Sequence, residues 1–252
     1  VAPEWSYETS DQVFAVDVSA DGEYIVAGGI DDEVHLFDKD SNIPLWSYDA
    51  STNIGLVSIS ADGEYIAVGS GTKVYLFDKD SSTPLWSYST SSASVSISAD
   101  GKYIAVGSND KVYLFGKDNS TPLWEYEPAS SDIMDSVAIS SDGQYIVAGC
   151  HNDNIYYFNR NSGTPEWIYN TDKEVYTVSI SSNGDYVVAG SEDSKIYLLD
   201  NQGNKLWHYL TDDDLTSVDI SSNGTYIAAG GKDDKVYLFN KNSNTPIWTH
   251  DT

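Results

Sequence analysis

The chain of 252 residues holds one cysteine, one methionine and a single arginine, and no apolar run long enough to cross a membrane as a helix. A lone thiol, Cys150, excludes an internal disulfide and every C-x-x-C metal or redox motif. Positive charge is equally scarce. Thirteen cationic residues, all lysine except Arg160, stand against 39 acidic ones, for a formal net charge of -26. Nucleic-acid binding needs clustered Lys and Arg to neutralise phosphates, so a polyanion would be repelled. An anionic membrane surface is disfavoured for the same reason. Cations, basic proteins and neutral molecules such as glycans remain as partners. Val1-Ala2-Pro3 does not open a signal peptide. The chain is therefore expected to be soluble and already processed.

Catalytic signatures are missing too. The four histidines, His35, His151, His208 and His250, fall in different repeats with no shared spacing. No Ser-His-Asp ordering, G-x-S-x-G turn or phosphate-cradling glycine loop occurs. His35 stands where the next two repeats carry Tyr75 and Tyr113, and reads as a packing variant. His151 follows Cys150 in a loop and, with Asp153, offers at most a weak metal site.

What the chain does have is repetition. The phrase S-x-[DN]-G-x-[YV]-[IV]-x-x-G recurs six times, with its turn glycines at Gly22, Gly63, Gly101, Gly143, Gly184 and Gly224. A period near forty with four short apolar runs per repeat is the signature of ring-closed β-units. In the second repeat Leu56–Ser60 alternates apolar and polar residues, and Ala61-Asp62-Gly63-Glu64 is a turn in which Gly63 can take positive φ. Tyr65–Gly69 and Lys73–Phe77 follow as strands, and Thr83-Pro84-Leu85-Trp86-Ser87-Tyr88 makes the fourth, with Pro84 at its start. The glycines ending the second strand mark close approach of a neighbouring backbone or ring. The seven tryptophans all lie in fourth-strand segments and read as interblade wedges.

The reading is an all-β, six-bladed β-propeller of one domain, with four antiparallel strands per blade. Blades are expected at about residues 13–49, 55–89, 94–127, 136–170, 175–210 and 216–250, with an extra N-terminal strand at 3–7. Two segments, Pro3–Tyr7 and Thr245–Trp248, compete for the outer place in the sixth blade. The C-terminal copy needs only a local hairpin and is favoured, which displaces the N-terminal copy to an exposed edge.

The run Phe77-Asp78-Lys79-Asp80-Ser81-Ser82-Thr83-Pro84-Leu85-Trp86 resembles the tryptophan-docking turn of quinoprotein-like (PQQ-like) propellers, with Pro84 where that motif favours Gly. Ser60-Ala61-Asp62-Gly63-Glu64-Tyr65 resembles WD40-like repeats, although the Gly-His and Trp-Asp dipeptides of true WD40 repeats are missing. Near-identical tandem blades of this style resemble surface and exported proteins of archaea. The resemblance implies the fold; it does not imply the quinone, because the calcium and quinone contacts of the dehydrogenases have no counterpart here.

Candidate sites follow from charge and register. If strands a to d run outward from the axis, the b–c and d–a loops share one face. That face collects Asp31, Asp32, Glu33, Asp153, Glu192, Asp193, Asp212, Asp213, Asp214, Asp233 and Asp234. It is expected to attract a basic partner or divalent cations. Along strand a one position reads Asp17, Ser58, Ser96, Ala138, Ser179, Asp219. Ring closure would set Asp17 beside Asp219, and two close carboxylates call for a cation, a donor or a raised pKa. Asp38-Lys39-Asp40-Ser41-Asn42 echoes an EF-hand start but has Ile43 where the glycine must be, so Asx turns are expected there. The expected function is a non-catalytic binding or scaffold propeller, exported or on a cell surface. Its acidic face would meet a protein, glycan or cation, and no cofactor is expected beyond calcium or another cation. The alternative is a quinoprotein-like or glycan-cleaving enzyme using loop carboxylates.

Overall fold

A computed structural model describes residues 4–91, 94–129 and 132–252. Its described strands form six four-stranded antiparallel sheets, each in simple a-b-c-d order. Blade 1 comprises Val13–Val18, Tyr24–Gly29, Glu33–Asp38 and Trp46–Asp49; blade 2 comprises Ile54–Ile59, Tyr65–Ser70, Lys73–Asp78 and Trp86–Ser89. The remaining blades begin with Ser94–Ile97, Ser136–Ile139, Val175–Ile180 and Leu215–Ile220, and end with Pro122–Tyr126, Trp167–Asn170, Lys205–Leu210 and Trp248–Asp251. Strand a of each blade contacts strand a of the next, which places the a strands innermost. The fourth strand of blade 2 starts at Trp86, so Pro84 belongs to the turn before it rather than to the strand.

The recurrent phrase works as a hydrogen-bonded turn. The Ser60 hydroxyl donates to Asp62 Oδ1 at 2.6 Å and accepts from the Tyr65 amide at 3.0 Å. Asp62 Oδ1 also accepts the Glu64 amide at 3.1 Å, and Gly63 takes φ 72°. The turn glycine serves the neighbour as well: a Cβ on Gly63 would lie 2.4 Å from the Tyr24 ring of blade 1. Successive turns are tied by backbone bonds of 3.0 Å, Ala20 to Ala61, Ala61 to Ala99, Ala99 to Ser141, Ser141 to Ser182 and Ser182 to Ser222.

Packing alternates two faces. One face of blade 1 (Val26, Val34, Leu36, Trp46) meets the opposite face of blade 2 (Val57, Ile59, Ile66, Val68, Phe77). Each fully buried aliphatic or aromatic side chain there contributes roughly 1.5–3 kcal/mol. Trp46 stacks on Phe77 at 5.2 Å, and its indole N–H donates to the Lys79 carbonyl at 2.8 Å. Trp86, Trp124, Trp167 and Trp207 dock on the following blade in the same way. Five of the seven tryptophans are thus interblade wedges, as the sequence implies; Trp248, 46% exposed, is not, and Trp5 lies outside any blade.

Six blades make five such cores, and the sixth, between blades 6 and 1, is not formed among the described residues. Val16 is 68% exposed, whereas its equivalents Val57 and Val218 are 7% exposed. Trp248 is 46% exposed. A Cβ on Gly22 would meet nothing within 4 Å, and the chain of turn-to-turn bonds ends at Ser222. The six four-stranded sheets bear out the six-bladed propeller, but the expected packing of blade 6 on blade 1 is corrected: among the described residues that junction is open.

The N-terminal segment packs on blade 1. Trp5 donates its indole N–H to the Lys39 carbonyl at 2.6 Å and packs on Phe37 at 5.5 Å, while Tyr7 meets Phe37 edge-on at 5.1 Å. This is the place that the preceding blade's tryptophan takes at the other junctions, and no such docking bond from Trp248 is formed among the described residues. The C-terminal copy forms the outer strand of blade 6, as expected, with Trp248 opposite Leu238. The expected N-terminal strand is not formed: residues 4–7 have no ladder, and residue 3 lies outside the described residues. Instead Asn42 Nδ2 donates to the Ser6 carbonyl at 3.1 Å.

Candidate binding face

The b–c loops of blades 5 and 6 are built on one local rule. In blade 5, Asp193 Oδ1 accepts the Lys195 amide at 3.1 Å, while Oδ2 accepts from the Tyr197 hydroxyl and from Lys195 Nζ at 3.0 Å. In blade 6, Asp233 Oδ1 accepts the Lys235 amide at 3.2 Å and Oδ2 the Tyr237 hydroxyl at 2.5 Å. Four of the six b–c loops turn through a left-handed residue, Asp32 at φ 65°, Asp153 at 67°, Ser194 at 61° and Asp234 at 60°. Short polar side chains tolerate that conformation, which is why Asp recurs there.

The acidic face therefore carries two populations of carboxylate. Asp193 and Asp233 anchor tyrosines, and Asp32, Asp153 and Asp234 shape turns. Others hold lysines: Lys195 Nζ lies 2.5 Å from Asp172, Lys235 Nζ 2.5 Å from Asp212, Lys232 Nζ 2.9 Å from Asp214 and Lys173 Nζ 3.9 Å from Glu192. These exposed pairs contribute little stability. Each pair is electrically neutral, so the field of the face is set by the carboxylates in excess of its lysines. Asp213 has no lysine among these pairs; its Oδ1 accepts the Asp214 amide at 2.8 Å. Asp31 and Glu33 flank His35 in blade 1.

The structure does not bring Asp17 and Asp219 together as a pair. Asp17 Oδ2 accepts the Ile59 amide of blade 2 at 2.9 Å, and Oδ1 accepts the Val18 amide at 2.8 Å. Burial raises the pKa of this carboxyl, against the lowering effect of the Ile59 and Val18 amides and the Ser58 hydroxyl. Asp219 Oδ1 accepts from the Ser179 hydroxyl of blade 5 at 2.9 Å. Ser58 and Ser96 bridge in the same manner to the Ile97 and Ile139 amides, at 3.3 Å each. This axial register is a set of interblade staples, and the physical reason the pair fails to form is the open junction between blades 6 and 1.

His151 also has partners other than the expected one. Its Nε2 meets Asp135 Oδ2 and its Nδ1 lies 3.6 Å from Glu174, while Asp153 sits in the turn. Burial raises the pKa of Asp135 against the opposing hydrogen bond from His151. Burial likewise pushes the Cys150 thiol up to about 11, which leaves it protonated and unreactive at neutral pH. The c–d loops are Asx turns as expected: Asp40 N donates to Asp38 Oδ1 and Asp80 N to Asp78 Oδ1, both at 2.9 Å.

One arrangement was only half legible in the sequence. His35 packs 5.1 Å from the Tyr7 ring, as a packing variant should, and its Nδ1 lies 2.7 Å from the Ser47 hydroxyl. The carboxylates of Asp31 and Glu33 converge on its other nitrogen. The signal for this was the simultaneous change of Lys to Glu and Tyr to His in a single repeat.

The family model described as outer membrane protein assembly factor BamB, a PQQ-like repeat model, matches residues 4–132 and again residues 108–250. No curated protein is significantly similar to the chain.

Proposed function

The chain belongs to the PQQ-like repeat family of outer membrane protein assembly factor BamB, and from that premise we propose that it is a non-catalytic scaffold propeller that binds a polypeptide partner on its acidic b–c/d–a face. The observation that carries this reading is the excess of carboxylates on that face, of which Lys173, Lys195, Lys232 and Lys235 neutralise only a part. Carboxylates such as Asp213 are left to set its potential, and a negative face of this kind steers basic surfaces toward it. The family's name is that of an assembly factor, a role in which holding other chains matters more than turnover. A place outside the cell or on its surface belongs to the same proposal.

The test is an array of folded proteins and glycans probed with the full chain, with and without calcium, at two salt concentrations. Basic proteins should dominate the hits, and their affinity should fall as salt rises. Replacing Asp212, Asp213 and Asp214 together by Asn should weaken those hits. Hits that ignore both salt and the triple substitution would overturn the acidic-face reading. Calcium-dependent glycan hits in their place would overturn the polypeptide partner.

A further inference from the structure

The b–c loop of blade 1 departs from its siblings at two positions together. Blades 5 and 6 read Asp-x-Lys-x-Tyr (Asp193, Lys195, Tyr197 and Asp233, Lys235, Tyr237), and there the tyrosine hydroxyl satisfies Oδ2 of the aspartate. Blade 1 reads Asp31-x-Glu33-x-His35. The donor-bearing lysine has become a carboxylate, and the tyrosine an imidazole. Asp31 Oδ1 keeps its turn role toward the Glu33 amide at 3.4 Å. Asp31 Oδ2 and His35 Nε2 are both buried and have no hydrogen-bond partner among the described residues. Their side chains are 3% and 2% exposed. A buried carboxylate oxygen facing a buried ring nitrogen, both unpaired, is a costly arrangement unless something sits between them.

The separations suit a metal ion better than a hydrogen bond. His35 Nε2 lies 3.9 Å from Asp31 Oδ2 and 3.5 Å from Glu33 Oε2, and the three donor atoms fall within 4.8 Å of one another. Nitrogen and oxygen ligands each about 2.0–2.2 Å from zinc stand roughly 3.3–3.6 Å apart at a tetrahedral angle. Glu33, 45% exposed, is free to close the remaining distance. The Ser47 hydroxyl lies 2.7 Å from Nδ1 and directly across the ladder, and in the tautomer that carries the proton on Nδ1 it accepts that proton and leaves the Nε2 lone pair facing the carboxylates. Calcium prefers six to eight oxygens, whereas an imidazole with two carboxylates suits a borderline ion. We infer that Asp31, Glu33 and His35 form a binding site for one divalent transition-metal ion of the zinc class. A fourth position is open to solvent or to a partner's side chain.

The experiment is isothermal titration of the full chain with zinc in excess calcium, which occupies carboxylate-only sites. One stoichiometric zinc is expected. The double substitution Glu33→Lys with His35→Tyr restores the pattern of blades 5 and 6, so the protein should fold with an unchanged or higher Tm and lose that binding. Ser47→Ala should weaken it about 10–100-fold through the freed imidazole. His151→Gln should leave it intact. Absence of stoichiometric zinc in the parent chain would overturn the site. So would parent-like binding by the double variant, or loss confined to His151→Gln.

Discussion

Val16, Val57 and Val218 occupy the same register position in blades 1, 2 and 6, yet only the last two are buried by a preceding blade. Truncation to alanine removes two methyl-sized groups, about 1.6 kcal/mol at roughly 0.8 kcal/mol each. At a site that cannot collapse, the cavity left behind raises this to about 2–3 kcal/mol. Val57→Ala and Val218→Ala should both show that loss. Val16→Ala, with roughly a third of the burial, should lose only about 0.5 kcal/mol. A chain of 252 residues has an unfolding entropy of roughly 0.5 kcal/mol per kelvin, so the buried pair should lower Tm by about 4–6 °C and Val16→Ala by about 1 °C. Thermal melts followed by far-UV circular dichroism and by tryptophan fluorescence give the comparison, with urea midpoints at matched slopes because repeat arrays can unfold in stages. Equal losses at Val16 and Val57 would refute the reasoning, since they would mean that another blade covers blade 1 in solution.

Trp5→Ala should lower Tm measurably, because it uncovers Phe37 and frees the Lys39 carbonyl, whereas Trp248→Ala should scarcely move it; melts of the two variants side by side decide this. Asp17→Asn keeps an acceptor for the Ile59 amide while removing a carboxyl whose folded pKa is raised by burial. A raised carboxyl favours the folded state below the unfolded pKa near 3.8, and that advantage is lost as pH rises through the folded value. The variant should therefore gain stability relative to the parent on going from acid to neutral pH, and urea unfolding at several pH values would show a constant difference if this is wrong. Cys150, buried and with its thiol pushed up to about 11, should resist Ellman's reagent in the native protein and react with one equivalent in denaturant. Rapid native labelling would place it at the surface.

Repetition made most of the fold readable before any coordinates. A serine, an aspartate or asparagine, a glycine and a tyrosine at fixed spacing specify the a–b turn through contacts within six residues, so Ser60, Asp62, Gly63 and Tyr65 carry their own instructions. Alternation along strands and the recurring tryptophan fixed the blade, its four strands and its wedge, because these depend on a period and not on distant partners. The acidic b–c and d–a loops could be assigned to one face for the same reason. What each carboxylate does there was not readable. Asp193 anchors Tyr197, Asp212 holds Lys235 and Asp234 shapes a turn, and those roles depend on partners set by the hairpin geometry.

The junction between the first and last blades was decided by tertiary structure alone. Trp5 and Trp248 are equivalent by sequence, and the choice between them turned on which one reaches the Lys39 carbonyl. Trp5 holds it, and Asp17 and Asp219 find partners in blades 2 and 5. The same N-terminal segment lays Tyr7 against His35. A substitution that reads as a packing variant thereby becomes a buried imidazole facing two carboxylates. Local chemistry repeats with the sequence, whereas the junction of blades 1 and 6 depends on packing between segments far apart in the chain, which no local pattern encodes.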